Sequence, residues 1–159
     1  MKKIHIIHVG DFKEEWLRLA MAEYAKRISP CCELRELAVR EESLPERPSA
    51  AQIAAALERE GARAAERLPP RSYTAALCVE GRRMNSEGFA ALVEEALEKR
   101  DSLSFVIGSS YGLAESVKNA ADLRISLSDL TLPHMLARVL LAEQIYRALT
   151  IMNGGKYHK

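Results

Sequence analysis

The residues best suited to chemistry fall in the last third of the chain. A short apolar run, Leu103-Ser104-Phe105-Val106-Ile107, stops at Gly108-Ser109-Ser110-Tyr111-Gly112. An alternating run, Leu123-Arg124-Ile125-Ser126-Leu127, stops at Ser128-Asp129-Leu130-Thr131-Leu132-Pro133. Two strand ends thus deliver two loops, each just ahead of a helical pattern. Open α/β sheets bind ligands at the carboxyl ends of their strands, so a site is expected here. His134, at the start of the final helix, offers the imidazole of a base or an RNA contact, with a satisfied structural histidine as the plainer use. The tail Lys156-Tyr157-His158-Lys159 sets an aromatic ring among three side chains able to carry positive charge. That is a stacking surface beside phosphate-binding groups, although a frayed, solvated end is the ordinary reading of such a tail.

Other chemistries find no support. Gly10 or Gly108 alone does not make GxGxxG, and no Walker A loop or GxSxG elbow is present. The serines after Gly108 read as turn or cap residues. His5 and His8 are three apart in a strand pattern and point to opposite faces, which excludes shared metal ligation. Cys31 and Cys32 are adjacent, Cys78 is alone, and no CxxC spacing exists for zinc. The three thiols read as reduced, in a cytoplasmic protein without a metal. Two histidines interrupt the apolar start of the chain, which counts against a signal peptide. No stretch approaches the roughly 18 apolar residues that cross a bilayer.

With 159 residues, 48% of them hydrophobic and 28% charged, the chain is expected to form a single domain over residues 1–159 with its own core. A net charge of +1 counts mildly against a nucleic-acid protein and requires any such partner to meet a local basic patch. Lys2 to Val9 reads as a buried strand, and Trp16, Leu17, Ala20, Met21, Tyr24 and Ile28 as a helix ended by Pro30. A weaker alternation from Glu33 to Val39 predicts a more exposed strand. Ser49-Ala50-Ala51-Gln52 has capping-box spacing ahead of a helix that stops at Pro69-Pro70. Tyr73 to Val79 predicts a third strand, and Asn85 or Ser86 caps the helix carrying Phe89, Leu92, Val93, Ala96 and Leu97. The Leu103–Ile107 strand, a short helix over Leu113–Ala121, the Leu123–Leu127 strand and the last helix complete the series. Such alternation predicts an α/β fold with a mostly parallel sheet flanked by helices.

The last helix, about Pro133 to Met152, carries a wide apolar band of Met135, Leu136, Val139, Leu140, Ala142, Ile145, Tyr146 and Leu149. Arg138, Glu143 and Arg147 are expected on another side. A band this broad serves either core packing or a homodimer interface.

Phe105-Val106-Ile107-Gly108, Gly112-Leu113, Leu127-Ser128, Thr131-Leu132-Pro133-His134, the run Arg138 to Ala148 and the ending Tyr157-His158 together resemble the RlmH family. These are bacterial 23S rRNA pseudouridine methyltransferases of the SPOUT superfamily. The resemblance covers the whole chain, including Gly10, Phe12-Lys13, Glu23-Tyr24, Arg27, Ser86-Glu87 and Phe89-Ala90. It implies a SPOUT fold with a deep C-terminal trefoil knot, a homodimer, S-adenosylmethionine as cofactor, and N3 methylation of a pseudouridine in 23S rRNA of the assembled ribosome. The knot is not derivable from patterning. The implied cofactor contacts are Leu77, Gly108, Leu127, Ser128, Asp129, Leu130, Thr131 and Leu132. An adenine needs an apolar slot with backbone amides and carbonyls, which such a loop supplies, and a glycine lets backbone approach a ligand closely. His134, Arg138, Tyr157 and His158 are the implied catalytic candidates, and Arg147, Lys156 and Lys159, with Arg138, the candidates to hold rRNA phosphates.

One departure matters. The family shows a second glycine where this chain has Ser109; if that position needs φ > 0, a serine costs about 1 kcal/mol or more. Ser109 is therefore the feature that supports an alternative, a non-catalytic ribosome-binding factor that has kept the fold.

Overall fold

The β-branched run at the start of the chain becomes β1 (Lys2–Val9), paired in parallel with β2 (Cys32–Val39) on one side and β4 (Ser102–Ile107) on the other. β3 (Ser72–Arg82) lies beyond β4, and β5 (Leu123–Ile125) beyond β3, giving an all-parallel sheet of order β2-β1-β4-β3-β5. The computed structural model describes residues 1–159. Every residue of β4 is buried, as are six of the eight in β1, because both faces of the sheet are covered.

On one face Ile4, Ile6, Phe105 and Ile107 meet α1 (Glu15–Ile28), α3 (Ser86–Lys99) and α5 (His134–Met152). On the other, Ile7, Val9, Ala76 and Val106 meet α2 (Ala50–Arg67) and α4 (Glu115–Ala120). The capping box forms: Ser49 Oγ accepts from the Gln52 amide at 3.1 Å, and Gln52 Oε1 accepts from the Ser49 amide at 2.8 Å. Asn85 caps α3 by accepting from the Gly88 amide at 2.8 Å. No helix is long and apolar enough to cross a membrane.

Three boundaries differ from those expected, and the differences build the site. β3 runs on to Arg82 instead of ending at Val79. It pairs with β5 through Leu77, leaves it, and returns at Arg82, which pairs again with Ile125. Gly81 makes the return possible, since a Cβ there would lie 2.3 Å from the Ile125 carbonyl carbon. β5 stops at Ile125, two residues short of the expected end, because Ser126 and Leu127 already turn into the loop. α4 begins at Glu115, with Leu113 and Ala114 buried in extended backbone ahead of it.

Candidate active site

The two loops singled out in the sequence meet. With the detached stretch of β3 they enclose a cavity of about 730 Å³ at the carboxyl end of the sheet. Leu77 to Glu80 form one wall, Ile107 to Leu113 a second, and Ser126 to Leu132, without Asp129, a third; His134 and Ala137 of α5 close one end. The third wall is braced by its own serines. Ser126 Oγ donates to the Ser128 carbonyl at 3.0 Å, and Ser128 Oγ accepts from the Leu130 amide at 2.9 Å, turns that serine hydroxyls favour.

Seven of the eight expected cofactor contacts line this cavity: Leu77, Gly108, Leu127, Ser128, Leu130, Thr131 and Leu132. Asp129 does not. It is the one residue between Ser126 and Leu132 that the cavity does not include, and it pairs with Arg83 at the surface. The role of Gly108 also changes. A Cβ there would sit 2.0 Å from the Gly112 carbonyl oxygen, so the glycine makes room for the chain's own returning loop.

Ser109 is not in the left-handed region; among residues other than glycine only Arg71 is. The Ser109–Gly112 bridge closes the loop, and Gly112 carries the positive φ of 92°. Ser109 is buried near Glu60, whose carboxyl is pushed up by burial, while the Ser109 hydroxyl and the Glu42 amide, 2.9 Å from Oε2, favour its ionised form. The strain that supported a non-catalytic alternative is absent.

His134 is half-buried on the cavity wall, and its Nε2 is buried without a hydrogen-bond partner. Burial, and to a lesser extent Lys13 and Arg138, hold its pKa below the ordinary 6.5 against the opposing Glu41. At neutral pH it is an uncharged imidazole.

Arg138 corrects the expectation most. Expected on another side of α5 from the apolar band, it is 3% exposed and sits in the buried stripe of that helix with Ala142, Ile145 and Leu149. Its guanidinium carbon lies 3.4 Å from the centre of the Phe12 ring, and Nη1 reaches His8 Nδ1. A phosphate cannot reach it there. His8 in turn is held down to about 4, first by burial and then by the neighbouring arginine.

That depression predicts acid sensitivity. Between pH 6.5 and about 4 the unfolded His8 binds a proton that the folded one does not, so stability falls as pH falls across that window. The loss reaches about 3 kcal/mol, offset in part by Glu36 and Glu60, whose raised carboxyl pKa values act the other way. Urea midpoints are expected to drop steadily from pH 6.5 to 4.5, and His8→Asn to remove most of the slope. An unchanged slope in that variant would assign the sensitivity elsewhere.

The tail forms a second cluster. Gly154, at φ 68°, turns the chain, and the Gly155 amide donates to the Thr150 carbonyl at 2.7 Å, so Tyr157 returns along α5. Tyr157 Oη donates to Glu143 Oε1 at 3.1 Å, its ring lies 4.7 Å below the Arg147 guanidinium, and its edge meets Tyr146. His158 Nε2 lies 2.8 Å from Glu87 Oε1, and Arg147 Nη1 lies 3.3 Å from His158 Nδ1. Lys156 and Lys159 are exposed. None of these residues lines the cavity. Sequence reasoning missed Glu143 and Glu87 as tail partners; the four-residue spacing of Glu143 and Arg147 was the available signal.

The fold is one that methyltransferases share. Residues 1–158 match the family described as predicted SPOUT methyltransferases, and the chain belongs to it. Among its relatives is the ribosomal RNA large subunit methyltransferase H of Streptococcus pneumoniae, strain CGSP14, 41% identical over 158 residues that span 99% of both chains. The enzyme of that name from strain TIGR4 matches equally. Two crystal structures share the fold. A probable methyltransferase from Bordetella pertussis Tohama I superposes with a TM-score of 0.59 at 17% identity, over 93% of this chain and 96% of the other. TrmJ from Z. mobilis ZM4 gives 0.52 at 16% identity, over 93% and 70%.

Proposed function

We propose that this protein uses S-adenosylmethionine to methylate N3 of a pseudouridine in 23S rRNA of the assembled ribosome, acting in the cytoplasm as a homodimer. The observation that carries the reading is the convergence of the Gly108–Gly112 and Ser126–His134 loops on one cavity, in a chain 41% identical to large-subunit rRNA methyltransferases H. The cavity suits that cofactor: Leu77, Leu127 and Leu132 offer apolar walls, two loops bring backbone polar groups, and His134, whose buried Nε2 has no hydrogen-bond partner, stands in the wall. Bound there, the cofactor supplies an activated sulfonium methyl group.

What remains for the protein is alignment and proton removal. His134, uncharged at neutral pH, is the base placed to accept the N3 proton, a contribution typically of about 10² to 10⁴-fold. Arg147, Lys156 and Lys159 hold rRNA phosphates, and Tyr157 and His158 meet the target nucleotide. Because the tail residues stand outside the cavity of their own chain, a dimer gives each part its role: one subunit holds the cofactor and the other presents RNA. The side of α5 that carries the exposed Leu136 and the half-buried Leu140 is the surface for that contact. The C-terminal knot belongs to the same reading; α5 leaves edge strand β5 and crosses back over the sheet to reach His8 on β1.

Mass spectrometry of 23S rRNA from a deletion strain tests the whole. The expected result is loss of one methyl group from one pseudouridine, restored by the intact gene. An unchanged rRNA modification profile would refute the substrate, and failure of purified protein to bind S-adenosylhomocysteine would refute the cofactor.

A further inference from the structure

The donor loop, Ser126 to Pro133, needs fixing at both ends. Upstream, the Ser126 amide donates to the Arg82 carbonyl at 3.0 Å, tying the loop to the sheet. Downstream it runs into α5, whose first turn has Pro133 at the cap position and no side-chain cap. His134, Met135, Leu136 and Ala137 are all partly exposed, and of these Met135 packs against the edge of the core. Arg138 is the first α5 side chain that is fully buried.

Its partners come from the neighbouring β1–α1 turn. Gly10, at φ 77°, swings the chain out of β1 between Glu41 and Met135, and a Cβ there would contact both. Phe12 then lays its ring against the guanidinium, while His8, two residues before the turn, faces Nη1. Glu36 Oε2 lies 3.7 Å from Nε, too far for a hydrogen bond, and Nε has no partner. A cation so buried and so incompletely bonded is a poor stabilising device; well-packed apolar side chains often serve stability as well or better. Its planar shape, stacked on one ring and aimed at one imidazole, instead fixes an orientation.

We infer that Arg138 is a positioning residue that locks the Gly10–Lys13 turn to the start of α5 and so holds the His134–Ala137 wall of the cavity in place. The inference rests on reading that cavity as the methyl-donor site. Arg138 touches neither donor nor RNA. It acts through His134 and Ala137, which do face the cavity. Glu36, a third exposed in its side chain, rehydrates when the arginine is removed, so the fold survives the change.

The test is calorimetric titration of the full-length protein with S-adenosylhomocysteine, beside thermal unfolding. Arg138→Met is expected to raise Kd about tenfold while leaving Tm within a few degrees of wild type; Arg138→Lys, keeping charge without the flat stack, recovers affinity only in part. Phe12→Ala should reproduce the loss, and the double variant should be no worse than either single one, as expected for one shared device. Val93→Ala, a cavity in the α3 core away from the site, should lower Tm without changing Kd. Wild-type affinity in Arg138→Met overturns the inference, as does a loss of affinity that merely tracks Tm as in Val93→Ala. No binding by the wild-type protein would remove the donor reading itself.

Discussion

Removing Gly155–Lys159 is expected to abolish methyl transfer to ribosomes, a fall of at least about a thousandfold in kcat/KM, while S-adenosylhomocysteine affinity stays within about twofold. The two halves follow from where the tail lies. No tail residue lines the cavity, so its walls survive the deletion. The truncation takes away the Tyr157 ring and hydroxyl from Arg147 and Glu143, the His158 imidazole from Glu87, and two exposed lysines. If the tail holds RNA as proposed, stacking and phosphate contacts go at once, and alignment of a bound nucleotide is worth orders of magnitude in rate. Stability changes little, because Arg147 Nε still donates to Glu143 at 3.0 Å and α5 keeps its core stripe. Tyr157→Phe isolates the hydroxyl, and His158→Ala the Glu87 contact. Single-turnover assays on ribosomes with saturating cofactor read the effect directly. Full activity after truncation would end the tail's assigned role and the division of labour between subunits.

Much of this architecture is legible in the chain itself. The apolar runs that stop at Gly10 and Gly108, the weaker alternation from Glu33 to Val39, and the runs Tyr73–Val79 and Leu123–Leu127 mark the five strands, and the Ser49–Gln52 box marks a helix start that the hydrogen bonds reproduce. What escaped has specific causes. Glu80-Gly81-Arg82 looks like the end of a strand because it is polar and contains glycine; β3 continues there only because a missing Cβ lets it rejoin Ile125. Arg138 reads as belonging to another side than the apolar band because it is charged. Its position in the Arg138, Ala142, Ile145, Leu149 stripe is helical arithmetic that the residue type outweighed. Asp129 looks like its neighbours in the contact run, and only the ion pair with Arg83, distant in sequence, takes it out of the cavity. Period and punctuation show in a sequence; the partner that reaches a residue from a hundred positions away does not.

Gly108→Ala should be the most damaging single substitution at the cavity, with donor affinity reduced about a hundredfold or more, some 3 kcal/mol. The added methyl would sit 2.0 Å from the Gly112 carbonyl oxygen and 2.4 Å from its carbon. Backbone on both sides leaves no flexible side chain to yield, so the Ser109–Gly112 turn must move away from Ile107. Movement costs more than the turn. Ser109 is buried beside Glu60, and Leu113 is packed with Val9 and Val106 on the α2 face, so displacing the loop disturbs both. Two neighbours make the contrast that identifies the cause. Gly112→Ala meets open space but keeps φ at 92°, so its penalty is backbone strain of about 1 to 2 kcal/mol in stability, without the collision. Ser109→Gly should leave affinity within a few-fold, because Ser109 already lies in ordinary backbone. Titration with S-adenosylhomocysteine alongside urea unfolding separates the three. If Gly108→Ala bound the ligand like wild type, the loop would not be the cavity wall that its contact with Gly112 makes it, and the donor would have to bind elsewhere.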